Sequence, residues 1–400
     1  MKTRPAVPGL PAALSALAGA CVFAASCTLT RDAPLLAVER DSAGITIVES
    51  FAPAWGDSAR WRVGTRPLLD LAESGTGDAH DFYGVRNVTR LPDGGIVVVN
   101  RGSAEIRKFS ADGAFVGSTG GYGEGPGEFS NVQQVELVGD SMLVRDVRRV
   151  ALFGPDLRHL RTLQLHPGAR SLHYLDNGTM VAPVIMDYPE ERGLVRASEA
   201  LLVYDLEGAR RDSIGRTPGS EEYVTDALMA RPLFGRISVL DTHGDRIFLG
   251  SSDHMQVEEV DANGDTLRIL RIPDYPLALT PEEIQAERNL RLNPPLPSGV
   301  PSLPPPFVEA VEDMPSPETR PAYADMLADP TGAVWLRPFR GSSEQGGPEH
   351  WLVLGPDGAW LGSVEMPENF LAREIGLDEI LGVWTGELGV QHPQVWRLSR

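Results

Sequence analysis

The sequence predicts an all-β fold, a six-bladed β-propeller with four-stranded blades, and three observations carry that prediction. Short apolar-alternating runs recur along the chain, joined in pairs by Asp-Gly-type turns, which need the positive φ that hairpin turns impose. The runs group into fours five times over, in one order and with slippage. A sixth group supplies three runs and lacks an outer one. A strand from the N-terminal side completes it, and joining the two ends in one blade closes the ring and removes its open sheet edges.

The copies can be followed in order. The first has Val85 to Leu91, the turn Pro92-Asp93-Gly94-Gly95, Ile96 to Asn100, Ile106 to Ser110 and Phe115 to Thr119. The second begins at Val132 and continues through Met142 to Asp146, Val150 to Gly154 and Leu160 to Leu165. The third has Asp176-Asn177-Gly178, Thr179 to Ile185, Ala200 to Leu206 and Arg211 to Gly215. The fourth has Arg246 to Gly250, Gln256 to Val260 and Leu267 to Ile272, and the fifth Ala333 to Leu336, His350 to Leu354 and Trp360 to Glu365. The incomplete sixth has Phe370 to Ile375, Ile380 to Trp384 and Val395 to Ser399. Ile45 to Glu49 or Trp61 to Val63 is expected to supply its missing strand.

Residues 1–26 read as an export signal. Lys2 and Arg4 precede an apolar run from Leu10 to Ala25, too short to span a bilayer with margin, which ends in small residues before Cys27. Ala24-Ala25-Ser26-Cys27 has the form of a lipoprotein cleavage site, with Ala18-Gly19-Ala20-Cys21 a poorer second candidate. Cys21 and Cys27 are the chain's only cysteines, so the folded region can form neither a disulfide nor a thiolate metal site. The expected product is lipidated at Cys27, tethered through residues 27–43 to a membrane in the periplasm or at the cell surface, and folded as a propeller over 44–400.

Composition excludes one class of partner. Without Lys2 and Arg4, 34 basic side chains face 55 acidic ones, a formal charge of −21. Such a surface does not suit nucleic acid, which needs clustered positive charge.

Loop lengths point to one face. Turns within each hairpin are short, and the long connections (186 to 199, 339 to 349, 385 to 394, 216 to 235 and 273 to 321) all fall where a propeller places them on the same side of the disc. Long loops on a rigid scaffold are where binding residues usually sit. The largest insertion, 273–321 between blades 4 and 5, has structure of its own. Thr280-Pro281-Glu282-Glu283 combines an N-cap, Pro at the first helical position and a capping-box Glu. Asn293-Pro294-Pro295 ends that helix, Pro301 to Pro306 reads as extended, and a second helix is expected over Val308 to Met314. The insertion reads as a lid over one end of the channel.

The segment Gly120 to Phe129 holds five Gly and one Pro in ten residues and joins the first two blades. Together with Leu91-Pro92-Asp93-Gly94 and Pro317-Glu318-Thr319-Arg320-Pro321-Ala322-Tyr323, it resembles the exported bacterial six-bladed propeller family related to NHL-repeat proteins. The resemblance implies fold and export. Related propellers include metal-dependent lactonases and amidating lyases with carboxylate, Asn and His ligands around the channel, a ligand set that has no residue-by-residue counterpart in this sequence.

Nucleophile-elbow, His-Glu-x-x-His and phosphate-loop motifs are all lacking. His166 and His173 are spaced for different ends of strands rather than for one metal, and Asp261, Asn263 and Asp265 read as a hairpin turn rather than a calcium loop. Because inner strands begin on the loop-bearing face, Asp81, Phe82, Tyr83 and Arg86 are expected near the channel mouth, with Asn131 and Gln133 beside them. Tyr122, Glu124 and Glu128 are expected to project from the Gly-rich loop. Aromatic, acidic and amide groups around a concavity suit a polar ligand, a glycan, a peptide or a partner protein. No cofactor is assigned. The alternative is a propeller lyase or lactonase holding a divalent metal in its channel.

Overall fold

The computed structural model describes residues 36–56, 60–147, 149–188, 190–294, 303–344 and 346–400. Cys27 and the export signal lie outside the described residues. Six sheets form the six blades, each running from an inner to an outer strand. The inner strands are Val85–Arg90, Val132–Val138, His173–Tyr174, Val239–His243, Tyr323–Ala328 and Phe370–Ile375.

Core side chains follow from the period-two alternation of the middle strands. Within blade 1, Ile96–Asn100 is buried along its whole length; Val97 and Val99 face blade 2 and pack with Phe129, Val132 and Phe153, whereas Ile96 and Val98 face blade 6 and pack with Leu381, Val383 and Val395. The middle strands of blade 5 divide likewise. Leu336 and Leu352 meet Phe248 and Val257 on one side, and Trp335 and Trp351 meet Phe370 and Trp396 on the other. Apolar sandwiches of this kind between successive sheets hold the disc together.

Arg62–Asp70 supplies the outer strand of blade 6, antiparallel to Gln391–Ser399, so the second of the two expected closing segments is the one used. The first goes elsewhere. Ala37–Ser42 and Ile45–Ser50 form a hairpin, and Ile45–Ser50 lies parallel to the outer strand of blade 4, Thr266–Arg271. A parallel neighbour was not legible because the run was short enough to fit either edge. Between these strands the chain passes blade 5, where the Ala54 and Trp55 N–H groups donate to Trp360 and Leu361 carbonyls at 2.9 and 2.8 Å. The N-terminal arm thus runs along the rim past blades 4, 5 and 6.

Blade 3 departs from the expected loops. Its third and fourth strands are Gly193–Asp205 and Arg210–Val224, a long hairpin that converts half of 186–199 and part of 216–235 into strand. Pro218, Gly215 and Gly219 disguise it, since Pro and Gly in a run argue against a central strand. Three register shifts along the pair accommodate them. In blade 6, likewise, the last strand begins at Gln391, so the preceding loop is shorter than expected.

The insertion holds α1, Pro281–Leu292, with the capping box formed as the sequence requires, and α2, Pro305–Asp313, which starts earlier than expected because Pro is tolerated in a helix's first turn. Val311 and Met314 form a small core with Leu233 and Phe234, against Tyr223 of the blade 3 hairpin and Phe339 of blade 5. Arg320 pairs with Glu344 at 2.8 Å and with Glu283, and the buried Glu287 accepts the Ser342 N–H at 2.8 Å. Among the described residues, none of those lining the channel comes from the insertion. These contacts dock the described part of the insertion on blades 3 and 5.

Candidate functional site: the central channel

An innermost strand is a sheet edge, and its outward N–H and C=O groups need partners. At three of the six junctions an inner-strand carboxylate supplies one. Glu136 of blade 2 accepts the Tyr174 N–H of blade 3 at 3.0 Å, and Asp241 of blade 4 accepts the Ala328 N–H of blade 5 at 2.7 Å. Glu374 of blade 6 accepts the Arg90 N–H of blade 1 at 3.2 Å and the Thr89 hydroxyl. Gln134 adds a double latch to Leu172, accepting its N–H at 3.0 Å and donating to its carbonyl at 2.6 Å. The acids therefore sit on alternate blades, at one level of the channel.

Above them the inner strands carry a second repeated feature. Three have a register shift near the end that faces the long loops, Val85/Asn87, Val132/Gln134 and Tyr323/Asp325, and a fourth has one farther along, at Ala372/Glu374 beside the carboxylate level. A bulge leaves one residue unopposed and re-aims its side chain. The residues inside these shifts are Arg86, Gln133, Ala324 and Arg373, and three of them line the channel.

The resulting cavity has a volume of about 530 Å³. Arg86, Arg145 and Arg373 line it together with Asn87, Gln133 and Ser171, and the carboxylates and His173 lie in the same cavity. Arg145 Nε, Arg373 Nε and Asn87 Oδ1 are buried without a hydrogen-bond partner among the described residues. Burial holds the Arg373 and Arg145 guanidinium groups below their ordinary pKa, and the neighbouring cations Arg337 and Arg86 add to this for Arg373 while Asp325 opposes it. Burial raises Asp325, against the pull of Arg337 and Arg373.

Lower down, burial pushes Glu136 up to about 7, opposed by His173, with the Asp241 and Glu374 charges adding to the rise. Burial likewise raises Glu374 to about 7, against its hydrogen bonds from Thr89 and the Arg90 N–H. Both groups bind protons more tightly folded than unfolded. Their contribution to stability is full below the ordinary value of 4.5, falls as pH rises toward 7 and is constant above it. Unfolding by denaturant between about pH 5 and 8 should therefore show stability falling, and the fall should shrink in the Glu136→Gln, Glu374→Gln double variant. The expected difference is on the order of 2 kcal/mol, below the full value of the shifts because channel water screens the charges. Parallel stability curves for parent and variant would contradict the assignment.

The residues singled out in the sequence divide among three places. Arg86 and Gln133 line the channel. Asp81, Phe82 and Tyr83 line a separate cavity of about 450 Å³ between blades 6 and 1, where Phe82 is buried against Phe109 and Tyr83 is exposed. Asn131 is pinned by its N–H to Asp146 at 2.8 Å and receives the Gln133 amide at 2.5 Å. Tyr122, Glu124 and Glu128 are exposed on the Gly-rich loop. Arg149 braces that loop through the Gly123, Glu124 and Glu128 carbonyls, and the Glu128 carboxylate accepts the Gly125 N–H at 2.8 Å. Gly120 is required there, since φ is +114° and a Cβ would lie 2.5 Å from the Ala104 carbonyl oxygen.

Sequence reading missed Arg145, Arg373, Asn87 and the three carboxylates. Position within the repeat was the available signal, because Glu136 and Glu374 stand level with Thr89 on their inner strands. The bulges carried none. His173 does line the channel, whereas His166 lies outside it, and the Asp261 N-terminal to Asn263 and Asp265 accepts both their N–H groups, as a turn does. Among the described residues, one group of three metal-capable side chains meets within 4.8 Å, Asp70, Glu73 and His392, and it is not in the channel.

No model of a known protein family matches the chain, and no curated protein sequence matches it. Solved structures do. A Bacteroides fragilis protein named for its expected export shares 11% identity, with 88% of this chain and 99% of that chain covered and a TM-score of 0.50. A member of the duf4221 family from Bacteroides vulgatus shares 10%, covering 86% and 97%, at a TM-score of 0.49. Virginiamycin B lyase from Staphylococcus aureus shares 9%, covering 85% and 100%, at 0.40. The first likeness bears on the fold alone, and the other two support nothing further. The resemblance expected from the Gly-rich loop thus holds as a shared six-bladed propeller.

Proposed function

We propose that the protein is an exported, membrane-tethered binding propeller whose central channel takes a small anionic molecule, a sugar acid or a phosphorylated or carboxylated metabolite. One observation carries this reading: the buried guanidinium nitrogens Arg145 Nε and Arg373 Nε have no hydrogen-bond partner among the described residues in a channel wide enough for a ligand. A buried N–H left without an acceptor costs about 1–3 kcal/mol. An anion seated between these groups offsets that cost, and Asn87, Gln133 and Ser171 supply hydrogen bonds to hydroxyls. In a chain with net charge −19, three guanidinium groups gathered in one cavity beside its carboxylates make a local concentration of positive charge that suits an outside anion. The tether rests on the charged and apolar segments before Cys27.

The test uses glucuronate, citrate and glucose 6-phosphate, with glucose as the neutral control, in thermal-shift and calorimetric titrations at constant ionic strength. At least one anion is expected to raise the melting temperature where glucose does not. Arg373→Gln should weaken that binding at least about tenfold, equal to about 1.4 kcal/mol. Equal effects of glucose and all three anions, or unchanged binding by the Arg145→Gln, Arg373→Gln double variant, would overturn the reading.

A further inference from the structure

We propose that Asp70, Glu73 and His392 form a binding site for one divalent transition-metal ion at the seam where the ring closes. Asp70 ends the N-terminal closing strand and His392 stands on the strand it pairs with. The His392 Nδ1 lies 3.0 Å from Asp70 Oδ2, and one donor atom from each of the three side chains falls within 4.8 Å of the others. Donors at about 2.0–2.2 Å from a common ion stand closer together than this limit, and rotation of the exposed Glu73 side chain closes the difference.

Local structure puts the groups there. The Glu73 N–H donates to the Asp70 carbonyl at 3.2 Å, so Asp70-Leu71-Ala72-Glu73 turns and brings both carboxylates to one side. Asp70 is oriented from behind by the Ala72 N–H at 3.0 Å on Oδ1 and the Gln394 amide at 2.7 Å on Oδ2, the kind of outer support that fixes metal-binding carboxylates. Trp384 meets the His392 ring edge-on at 5.1 Å. The Glu73 carboxylate is exposed and has no partner among the described residues.

A second observation points to a ligand at the same place. The cavity of about 450 Å³ that contains Asp81, Phe82 and Tyr83 also has His392 in its wall, with His80 opposite and the exposed Leu388 at its edge. Of the three donors His392 lines this cavity, and a site with three protein donors leaves coordination positions for water or an outside ligand. Two carboxylates and one imidazole favour Zn²⁺ or Mn²⁺ over Ca²⁺ and Mg²⁺, which prefer oxygen donors throughout. On binding, the Asp70–His392 hydrogen bond is exchanged for two bonds to the ion.

The test needs no organic ligand and is independent of the channel reading. The full chain, stripped with a chelator, is titrated with Zn²⁺, Mn²⁺, Ca²⁺ and Mg²⁺ by calorimetry, with Trp fluorescence and melting temperature followed in parallel. One equivalent of Zn²⁺ or Mn²⁺ is expected per chain, with a rise in melting temperature. Glu73→Gln should weaken uptake at least about tenfold without changing the metal-free melting temperature, and His392→Gln should abolish it. No stoichiometric uptake, or uptake unchanged in Glu73→Gln, leaves the Asp70–His392 pair as a strut between strands and overturns the proposal.

Discussion

A chain lacking residues 36 to 70 is expected to lose its cooperative unfolding transition, whereas one lacking only 36 to 50 should keep it at a lower melting temperature. The longer deletion removes the outer strand of blade 6 and uncovers Val395, Trp396 and Leu398, which are 2%, 7% and 2% exposed in the closed ring. It also takes away Trp61, Val63 and Leu69, which pack on the flanking cores. Burial of side chains of this size is worth about 1.5–3 kcal/mol each, so the sum rivals the roughly 5–15 kcal/mol that holds a domain folded. The shorter deletion strips a hairpin from blade 4, whose own four strands remain. Its cost comes from Val48 in the core and from the Arg271–Glu49 pair at 2.5 Å. Circular dichroism melts of the two variants separate the cases, and equal melting of both would contradict this division of the N-terminal arm.

Asp329→Ala should be the most damaging single substitution at the junction of blades 5 and 6, costing on the order of 3–5 kcal/mol. Asp329 is 1% exposed. Its Oδ1 accepts the Thr331 and Ala333 N–H groups that form the inner turn of blade 5. Its Oδ2 accepts the Trp335 indole N–H and an Arg400 guanidinium N–H, both at 2.8 Å. Arg400 in turn lies 4.5 Å above the Trp61 ring, which stacks on Trp335 at 5.6 Å. Truncation strands the indole, the guanidinium and two backbone donors together. Asp329→Asn keeps some of these contacts and should recover part of the loss in denaturant titrations, while a variant as stable as the parent would show the cluster to be dispensable.

Blades and turns were legible in the sequence because they rest on local rules. Alternation places Ile96–Asn100, Asp-Gly turns end the hairpins, and Thr280 with Glu283 fixes the start of α1. Ring closure was legible as a need for one more strand, though not which segment meets it, since edge pairing depends on partners hundreds of residues away. The channel was largely hidden. Arg86 and Gln133 were within reach because they begin inner strands, but Arg373 reaches the channel through a bulge, and Arg145 stands on a second strand opposite Gln134. Phe82 and Tyr83 look alike as aromatic candidates in sequence. One is core and the other surface, and only the turn before Val85 decides which.

The pairing of Arg62–Asp70 with Gln391–Ser399 bears on how the chain reaches its fold. Made N-terminus first, Arg62–Asp70 precedes the strands of every complete blade and has no partner until the last residues arrive, so every earlier stage carries an unsatisfied edge and exposed indole and aliphatic groups. Contacts between such remote segments form slowly, because the long loop must close before they reward it. In that interval the nascent chain offers a template for pairing with another copy of itself. Holding chaperones would therefore act on a nearly complete five-blade intermediate, and the closing strand would set the pace of maturation.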